Sequence, residues 1–251
     1  MYFMKLKSGR ENWNYACATL LTIGVSLVLA TFAHAQDSSL TSPPSTTASP
    51  GKPAPSFSDT LSEAYQHFAK GELDAALTAV NAAIKQNSQN LQAFILRGAI
   101  YAQQKQWDKA DYDYDVALVI DPGSAIVKFD RAELKFMQKQ YDQARVGFSD
   151  LQSDKDLGDF ATYKVLLCDL FGAHEDVAAK DLAALNQVGA NPSYYFGNAA
   201  CDLVHNKTDE AESWLKSASR IYADAPQKIA SYTSSLTSLG YLPIRQTTSL
   251  E

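Results

Sequence analysis

An alanine recurs every 34 residues along most of this 251-residue chain, and that period limits the possible folds more than any other feature. Four other positions repeat in phase with it. The five ladders are Ala76, Ala110, Ala144, Ala178 and, one residue early, Ala211; Val80, Tyr114, Phe148, Leu182 and Leu215; Ala83, Ala117, Leu151, Leu185 and Ala218; Ala64, Gly98, Ala132, Leu166 and Ala199; and Asp74, Asp108, Asp142, Asp176 and Asp209. This period is typical of a solenoid, in which each unit is too small to bury its own apolar face and stacks on its neighbours.

Residues 91–124 show what one unit contains. Their apolar positions predict two amphipathic helices of about 14 residues each, joined by a tight turn. The second helix ends at Asp121-Pro122-Gly123, because proline cannot donate the next backbone hydrogen bond. The aspartate ladder falls in the first turn of each second helix, where a negative charge favours the helix dipole. The helical positions are Phe94, Gly98 and Tyr101, followed by Trp107, Ala110, Tyr114 and Ala117.

With these residues and Pro122, the unit Leu91 to Ser124 resembles a tetratricopeptide repeat. The resemblance extends to residues 57–90 and to residues 125 to about 155, and in degenerate form to units beginning near Asp159 and Pro192. It implies an all-α, right-handed α-solenoid of about five helical hairpins over residues 57–243. A sixth amphipathic pattern, over residues 226–239, predicts a C-terminal capping helix, because terminal units need a polar outer face.

The N-terminal 56 residues belong to a different class of sequence. Lys5, Lys7 and Arg10 precede an apolar run that ends in Ala33-His34-Ala35, which predicts a signal peptide over residues 1–35. An uncleaved membrane anchor is the alternative, although the run over residues 16–32 is at the short end for a membrane span. Residues 36–56 are rich in Pro, Ser and Thr and predict a disordered linker. Residues 244–251 are a predicted flexible tail, and the mature protein is expected to be periplasmic or secreted.

The charge of the mature chain limits its partners. Residues 36–251 carry 19 basic and 27 acidic side chains, a net charge of −8. Nucleic acids and anionic lipid surfaces are bound through clustered Lys and Arg, so neither is an expected partner. We expect a protein or peptide partner, with no stable membrane insertion after the signal peptide is cleaved.

The tetratricopeptide resemblance also implies where a partner binds. In that family the first helix of each hairpin lines a concave surface that holds a peptide or a partner helix. Ordinary core packing is the alternative for an aromatic stripe at helical spacing. On the binding interpretation, Phe129→Glu abolishes partner capture and leaves the helices intact. We call the nine predicted contact residues the first-helix row: Leu61, Tyr65, Ile95, Phe129, Glu133, Phe136, Tyr163, Phe171 and Phe196.

Residues 36–251 contain no Gly-rich phosphate loop, nucleophile elbow, His-Glu-x-x-His or paired-cysteine metal motif. It therefore predicts no enzymatic activity and no cofactor. Cys201 and His205 lie one helical turn apart and, with or without Cys168, are the nearest candidates for a zinc site or an activated thiolate. The alternative is a core cysteine beside a surface histidine.

Cys168 and Cys201 occupy equivalent places in successive units. Adjacent helices are about 8–10 Å apart, beyond the roughly 7 Å that a disulfide allows between α-carbons. Free thiols are therefore favoured over a bridge, which an exported protein would permit.

The sequence predicts a non-catalytic interaction scaffold of the cell envelope or periplasm that binds an apolar peptide or partner helix on its concave face. The alternative is a self-associating structural subunit whose groove is occupied by a neighbouring chain. The oligomeric state separates the two hypotheses.

Overall fold

The computed structural model describes residues 55–185 and 191–242, and these residues form eleven α-helices and no β-strand. The predicted signal peptide, nearly all of the predicted linker and the predicted tail lie outside the described residues. The helices are α1 (Phe57–Ala69), α2 (Leu73–Gln86), α3 (Leu91–Gln103), α4 (Trp107–Ile120), α5 (Ala125–Met137), α6 (Tyr141–Ser149), α7 (Gly158–Phe171), α8 (Glu175–Ala184), α9 (Pro192–Val204), α10 (Thr208–Ile221) and α11 (Gln227–Ser238).

The helices form hairpins within two compact units that divide between Pro122 and Gly123. In the N-terminal unit α1 pairs with α2 and α3 with α4, and α2 also packs on α3. In the C-terminal unit α5 pairs with α6, α7 with α8 and α9 with α10. There α6 packs on α7, α7 on α9, and α11 on α9. The predicted all-α architecture of helical hairpins is confirmed.

The alanine ladder lies where the two helices of each hairpin cross. Its members are between 0% and 2% exposed, so a larger side chain would not fit there without displacing a neighbour. Gly98 serves a related purpose. A Cβ atom on Gly98 would lie 2.7 Å from Cε1 of Tyr114, so the glycine makes room for the Tyr114 ring within the α3–α4 hairpin.

Every hairpin turn contains one residue with left-handed backbone conformation. In each turn the amide after that residue donates a hydrogen bond to the carbonyl five residues earlier, as from Gln106 to Tyr101 at 2.8 Å. This bond pattern is that of a Schellman turn, which normally uses glycine. Four of the five are not glycine, so the hairpin itself imposes the conformation. The left-handed residues are Gly71, Lys105, Lys139, Ala173 and Asn206, with φ between 57° and 76°.

The aspartate ladder occupies the first turn of every second helix, as predicted. The N-cap side chains of these helices make no capping hydrogen bond, so the aspartates act on the helix dipole. Most first helices are capped differently, by a serine or asparagine side chain that accepts a backbone hydrogen bond. These caps are Ser56, Asn90, Ser124 and Asn191.

Ala110→Leu is expected to lower the free energy of unfolding by about 1 to 3 kcal/mol, because a larger side chain overpacks the α3–α4 crossing. Ala110 is fully buried, whereas Val119 on the same helix is 82% exposed. Val119→Leu is therefore the control and should change the stability by less than about 0.5 kcal/mol. Urea unfolding followed by circular dichroism measures both. Equal stability of Ala110→Leu and the parent would show that the crossing is assigned to the wrong residues.

Candidate functional site

All nine residues of the first-helix row lie on the first helices of their hairpins, where the sequence predicted them. Eight are between 0% and 4% exposed, and Phe171 is partly exposed. The expectation that they line an open surface is therefore corrected for those eight, because neighbouring side chains cover them. Their part in binding a partner stays a prediction that requires these contacts to open.

In the N-terminal unit, polar side chains beside the first-helix row form hydrogen bonds with one another. The guanidinium of Arg97 on α3 donates to both carboxylate oxygens of Asp113 on α4, at 2.7 and 2.8 Å, and to Oδ1 of Asn81 on α2, at 2.9 Å. Burial raises the pKa of the Asp113 carboxyl, and the hydrogen bonds from Arg97 oppose that rise. The bidentate contact with Asp113 and the hydrogen bond to Asn81 together join α2, α3 and α4, and they leave the guanidinium little capacity for a ligand.

In the C-terminal unit, Phe129 is a core residue. Its ring centroid lies 5.1 Å from that of Phe148 on α6 and 5.5 Å from that of Phe160 on α7. The expected outcome for Phe129→Glu is therefore revised. A carboxylate placed between these rings would be buried without a partner, so we expect the variant to lose helical structure.

The C-terminal helix α11 covers part of the row. The ring of Tyr232 on α11 lies 4.8 Å from Phe160 and 5.0 Å from Tyr163, both on α7, and 5.2 Å from Phe196 on α9. Beyond the helix, the Tyr241 ring stacks on Phe171 at 6.3 Å. The predicted C-terminal helix is confirmed, and it packs on the members of the row that lie on α7 and α9.

The polar end of Tyr232 is also satisfied. Ser193 Oγ donates to the carbonyl oxygen of Asp159 at 2.6 Å, which uses its only proton. The Tyr232 hydroxyl, 2.9 Å from the same Oγ, is therefore the donor to Ser193. Burial raises the pKa of Tyr232, so its phenol keeps that proton. The packing of α11 on α7 and α9 thus combines aromatic contacts with a specific hydrogen bond.

A buried ion pair lies beside the same row. Lys164 Nζ on α7 is 2.7 Å from Oε1 of Glu133 on α5, and the two side chains are 0% and 1% exposed. The ammonium also lies 4.2 Å from the centroid of the Phe136 ring. The residue pattern predicted a role for Glu133 but none for Lys164. The available signal was a single cationic residue within an otherwise largely apolar helix, residues 160–170.

Cys168 and Cys201, the cysteines of the described residues, are free thiols, which agrees with the favoured expectation. Burial raises the pKa of Cys168 to about 12, so this thiol is protonated at neutral pH. Cys201, partly exposed, lines a cavity of about 500 Å³ between α8 and α9 together with His205. His205 Nδ1 is 2.7 Å from the carbonyl oxygen of Cys201, so it carries a proton there and cannot accept one from the thiol.

Within residues 55–185 and 191–242, no three His, Cys, Asp or Glu side chains are grouped as metal ligands would be. None of the described helices has the length and apolar character needed to cross a bilayer.

No protein-family model matches the chain, and no curated protein sequence matches it. Solved protein structures do match the chain. The crystal structure of PilW, a widely conserved type IV pilus biogenesis factor, aligns with a TM-score of 0.51 and 17% sequence identity over 76% of this chain and 95% of PilW. YrrB, a TPR protein with an unusual peptide-binding site, aligns with a TM-score of 0.44 and 15% identity over 70% of this chain and 90% of YrrB.

The chain has the tetratricopeptide-repeat (TPR) fold. The likeness to PilW adds to the 34-residue period and the repeated hairpins described above. The fourth unit departs from the others at the ladder of small residues, because Leu166 stands where they have Ala or Gly. Gly197 on the next first helix leaves room for it, since a Cβ there would lie 2.9 Å from Leu166 Cδ2. A small residue at another position therefore keeps α7 and α9 closely packed.

Proposed function

We propose that this protein is a non-catalytic interaction scaffold of the cell envelope or periplasm, and that its first helices bind an apolar peptide or a partner helix. The observation that carries the proposal is the packing of α11 on two first helices. An amphipathic helix of the chain itself lies on α7 and α9, with an aromatic ring between Phe160, Tyr163 and Phe196. Binding of an amphipathic helix through apolar anchors is a common mode of peptide recognition.

The envelope location is supported by the predicted signal peptide over residues 1–35 and is in keeping with the likeness to a type IV pilus biogenesis factor. The non-catalytic role is supported by the state of Cys201 and His205, the nearest candidates for chemistry in the sequence, and of Cys168, their third member. Burial raises the pKa of both thiols, and Nδ1 of His205 donates its proton to a backbone carbonyl oxygen.

Phe171 provides the test, because it is the partly exposed member of the row. Phe171→Glu is expected to lose the partner, since an apolar segment bound there would bury the carboxylate away from water without a counterion. Val146→Glu is the control, because Val146 lies on the second helix α6 and is 64% exposed. Each variant of the full chain would be used to capture proteins from envelope extract, followed by mass spectrometry, with thermal unfolding as a check of folding. Identical capture by the two variants would contradict the proposal.

Self-association is the second candidate function, and the same observation favours it. A surface that accepts α11 from its own chain could accept α11 from a neighbouring copy, with residues 222–226 as the connection. Multi-angle light scattering of the full chain separates the two. A monomer at all concentrations supports the adaptor, and a stable oligomer supports the structural subunit.

A further inference from the structure

The helix α11 and the residues just after it contact every member of the first-helix row that lies on α7 or α9. The Tyr232 ring is 5.0 Å from that of Tyr163 and 5.2 Å from that of Phe196. The Tyr241 ring stacks on Phe171 at 6.3 Å. Departure of residues 227–241 would therefore uncover apolar side chains on two neighbouring first helices at once.

The attachment of α11 uses a small part of its surface. Of its twelve residues, Tyr232, Ser235 and Leu236 are buried, and the small polar side chain of Ser235 adds little apolar area. The other nine are partly or fully exposed. One aromatic ring, one leucine and the hydrogen bond between Tyr232 and Ser193 therefore supply most of the free energy that holds this helix in place.

The sequence of α11 also favours a helix only weakly. Six of its twelve residues are serine or threonine, whose hydroxyls compete for backbone hydrogen bonds in other conformations. Pro226 at the N-cap makes no side-chain hydrogen bond, and neither an acidic first turn nor a basic last turn supports the helix dipole. A helix this short is marginal in water, so α11 is helical because it packs on α7 and α9.

We propose that α11 occupies the surface to which the partner helix binds, so that the partner displaces α11 when it binds. The surface consists of Phe160, Tyr163, Ser193 and Phe196, which surround Tyr232. This inference rests on the proposed function, because it states where on the first helices the partner helix binds. It also explains how these members of the row can be buried in the structure and still be contact residues.

The contacts of α11 define the chemistry of the partner. The partner is an amphipathic helix with an aromatic residue that fits between Phe160 and Phe196, and with a leucine-sized side chain four residues later, as Leu236 follows Tyr232. It must bind more strongly than α11 does, because residues 222–226 tether α11 at an effective concentration on the order of millimolar. Stronger helix-forming residues on the exposed face would provide that advantage.

The probe is a fluorescein-labelled peptide with the sequence of residues 226–239, and its fluorescence anisotropy is titrated with the full chain. We expect weak binding to the parent, because its own α11 competes. Tyr232→Ala in the full chain should bind the peptide about tenfold more tightly, since the competing helix has lost its main anchor. Tyr232→Phe, which loses the hydrogen bond to Ser193 and keeps the ring, should fall between the two.

Two controls accompany the titration. The peptide with Tyr232→Ala should bind none of the chains, because it lacks the aromatic anchor. The full chain with Tyr112→Ala should bind the original peptide as weakly as the parent, since Tyr112 lies on α4 and is 65% exposed. Circular dichroism checks that each variant is folded. If Tyr232→Ala did not fold, the comparison of Tyr232→Phe with the parent would decide.

Equal affinity of the parent and the Tyr232 variants would overturn the proposal, as would a folded Tyr232→Ala chain that shows no saturable binding. Light scattering adds a third such outcome. An oligomer that the peptide dissociates would assign the surface to α11 of a second copy. Because the peptide is a segment of the chain itself, these results do not depend on capture from envelope extract. Failure of the peptide, with capture still lost in Phe171→Glu, would leave the proposed function intact and place the partner elsewhere on the first helices.

Discussion

Lys164→Met is expected to lower the free energy of unfolding of the C-terminal unit by about 3 to 5 kcal/mol, because it leaves the Glu133 carboxylate buried without its cation. The two groups are 2.7 Å apart and almost completely shielded from water. Methionine keeps the length and apolar stem of the side chain, so the loss reports mainly on charge. Urea unfolding followed by circular dichroism measures the change.

Two further variants interpret that result. Lys180→Met removes an ammonium that is 78% exposed and 4.0 Å from Asp176, so it should change stability by less than about 0.5 kcal/mol. The double variant Glu133→Gln with Lys164→Met should recover much of the loss, because no uncompensated charge remains. A double variant as unstable as Lys164→Met alone would mean that Lys164 stabilises the unit by packing rather than by pairing.

Tyr232→Ala is expected to cost about 3 to 5 kcal/mol, as is usual when a buried aromatic ring is removed. The ring contacts Phe160, Tyr163 and Phe196, so its loss should loosen α11 from both first helices. Thermal unfolding should show the loss, and hydrogen exchange should show faster opening of residues 227–238.

Tyr232→Phe isolates the hydroxyl. It keeps the ring contacts and removes the hydrogen bond to Ser193, so it should cost only about 0.5 to 1.5 kcal/mol. Tyr112→Ala is the control for aromatic removal in general, because Tyr112 is 65% exposed. If Tyr232→Ala and Tyr112→Ala were equally mild, α11 would not be held on the first-helix row.

The position of α11 changes how the first-helix row is understood. The sequence predicted an amphipathic helix over residues 226–239 and gave it the role of a polar cap, since a terminal repeat needs a polar outer face. Helical periodicity shows which face of a helix is apolar, but it does not show which neighbour covers that face. Tyr232 contacts α7, which lies two hairpins earlier in the chain. No local sequence pattern predicts a contact between helices so far apart in the sequence.

The buried charges illustrate a second limit of sequence reasoning. Asp130 and Lys164 stand 34 residues apart, at equivalent positions of adjacent first helices. That spacing alone suggests that they pair with each other. The structure instead places Lys164 against Glu133, because side-chain direction and not ladder position decides which groups meet.

By itself, the sequence determined the helical hairpins, their period, the helix crossings at the alanine ladder and the helix that follows the fifth hairpin. These features follow from spacing and residue size, which act over a few turns of helix and recur in every unit. Only the tertiary structure decided that eight residues of the first-helix row are buried, that Lys105, Lys139, Ala173 and Asn206 adopt a left-handed turn as Gly71 does, and that Asp130 has no counterion among the described residues. Burial, turn strain and charge pairing depend on which distant side chains meet, and that is settled when the hairpins pack.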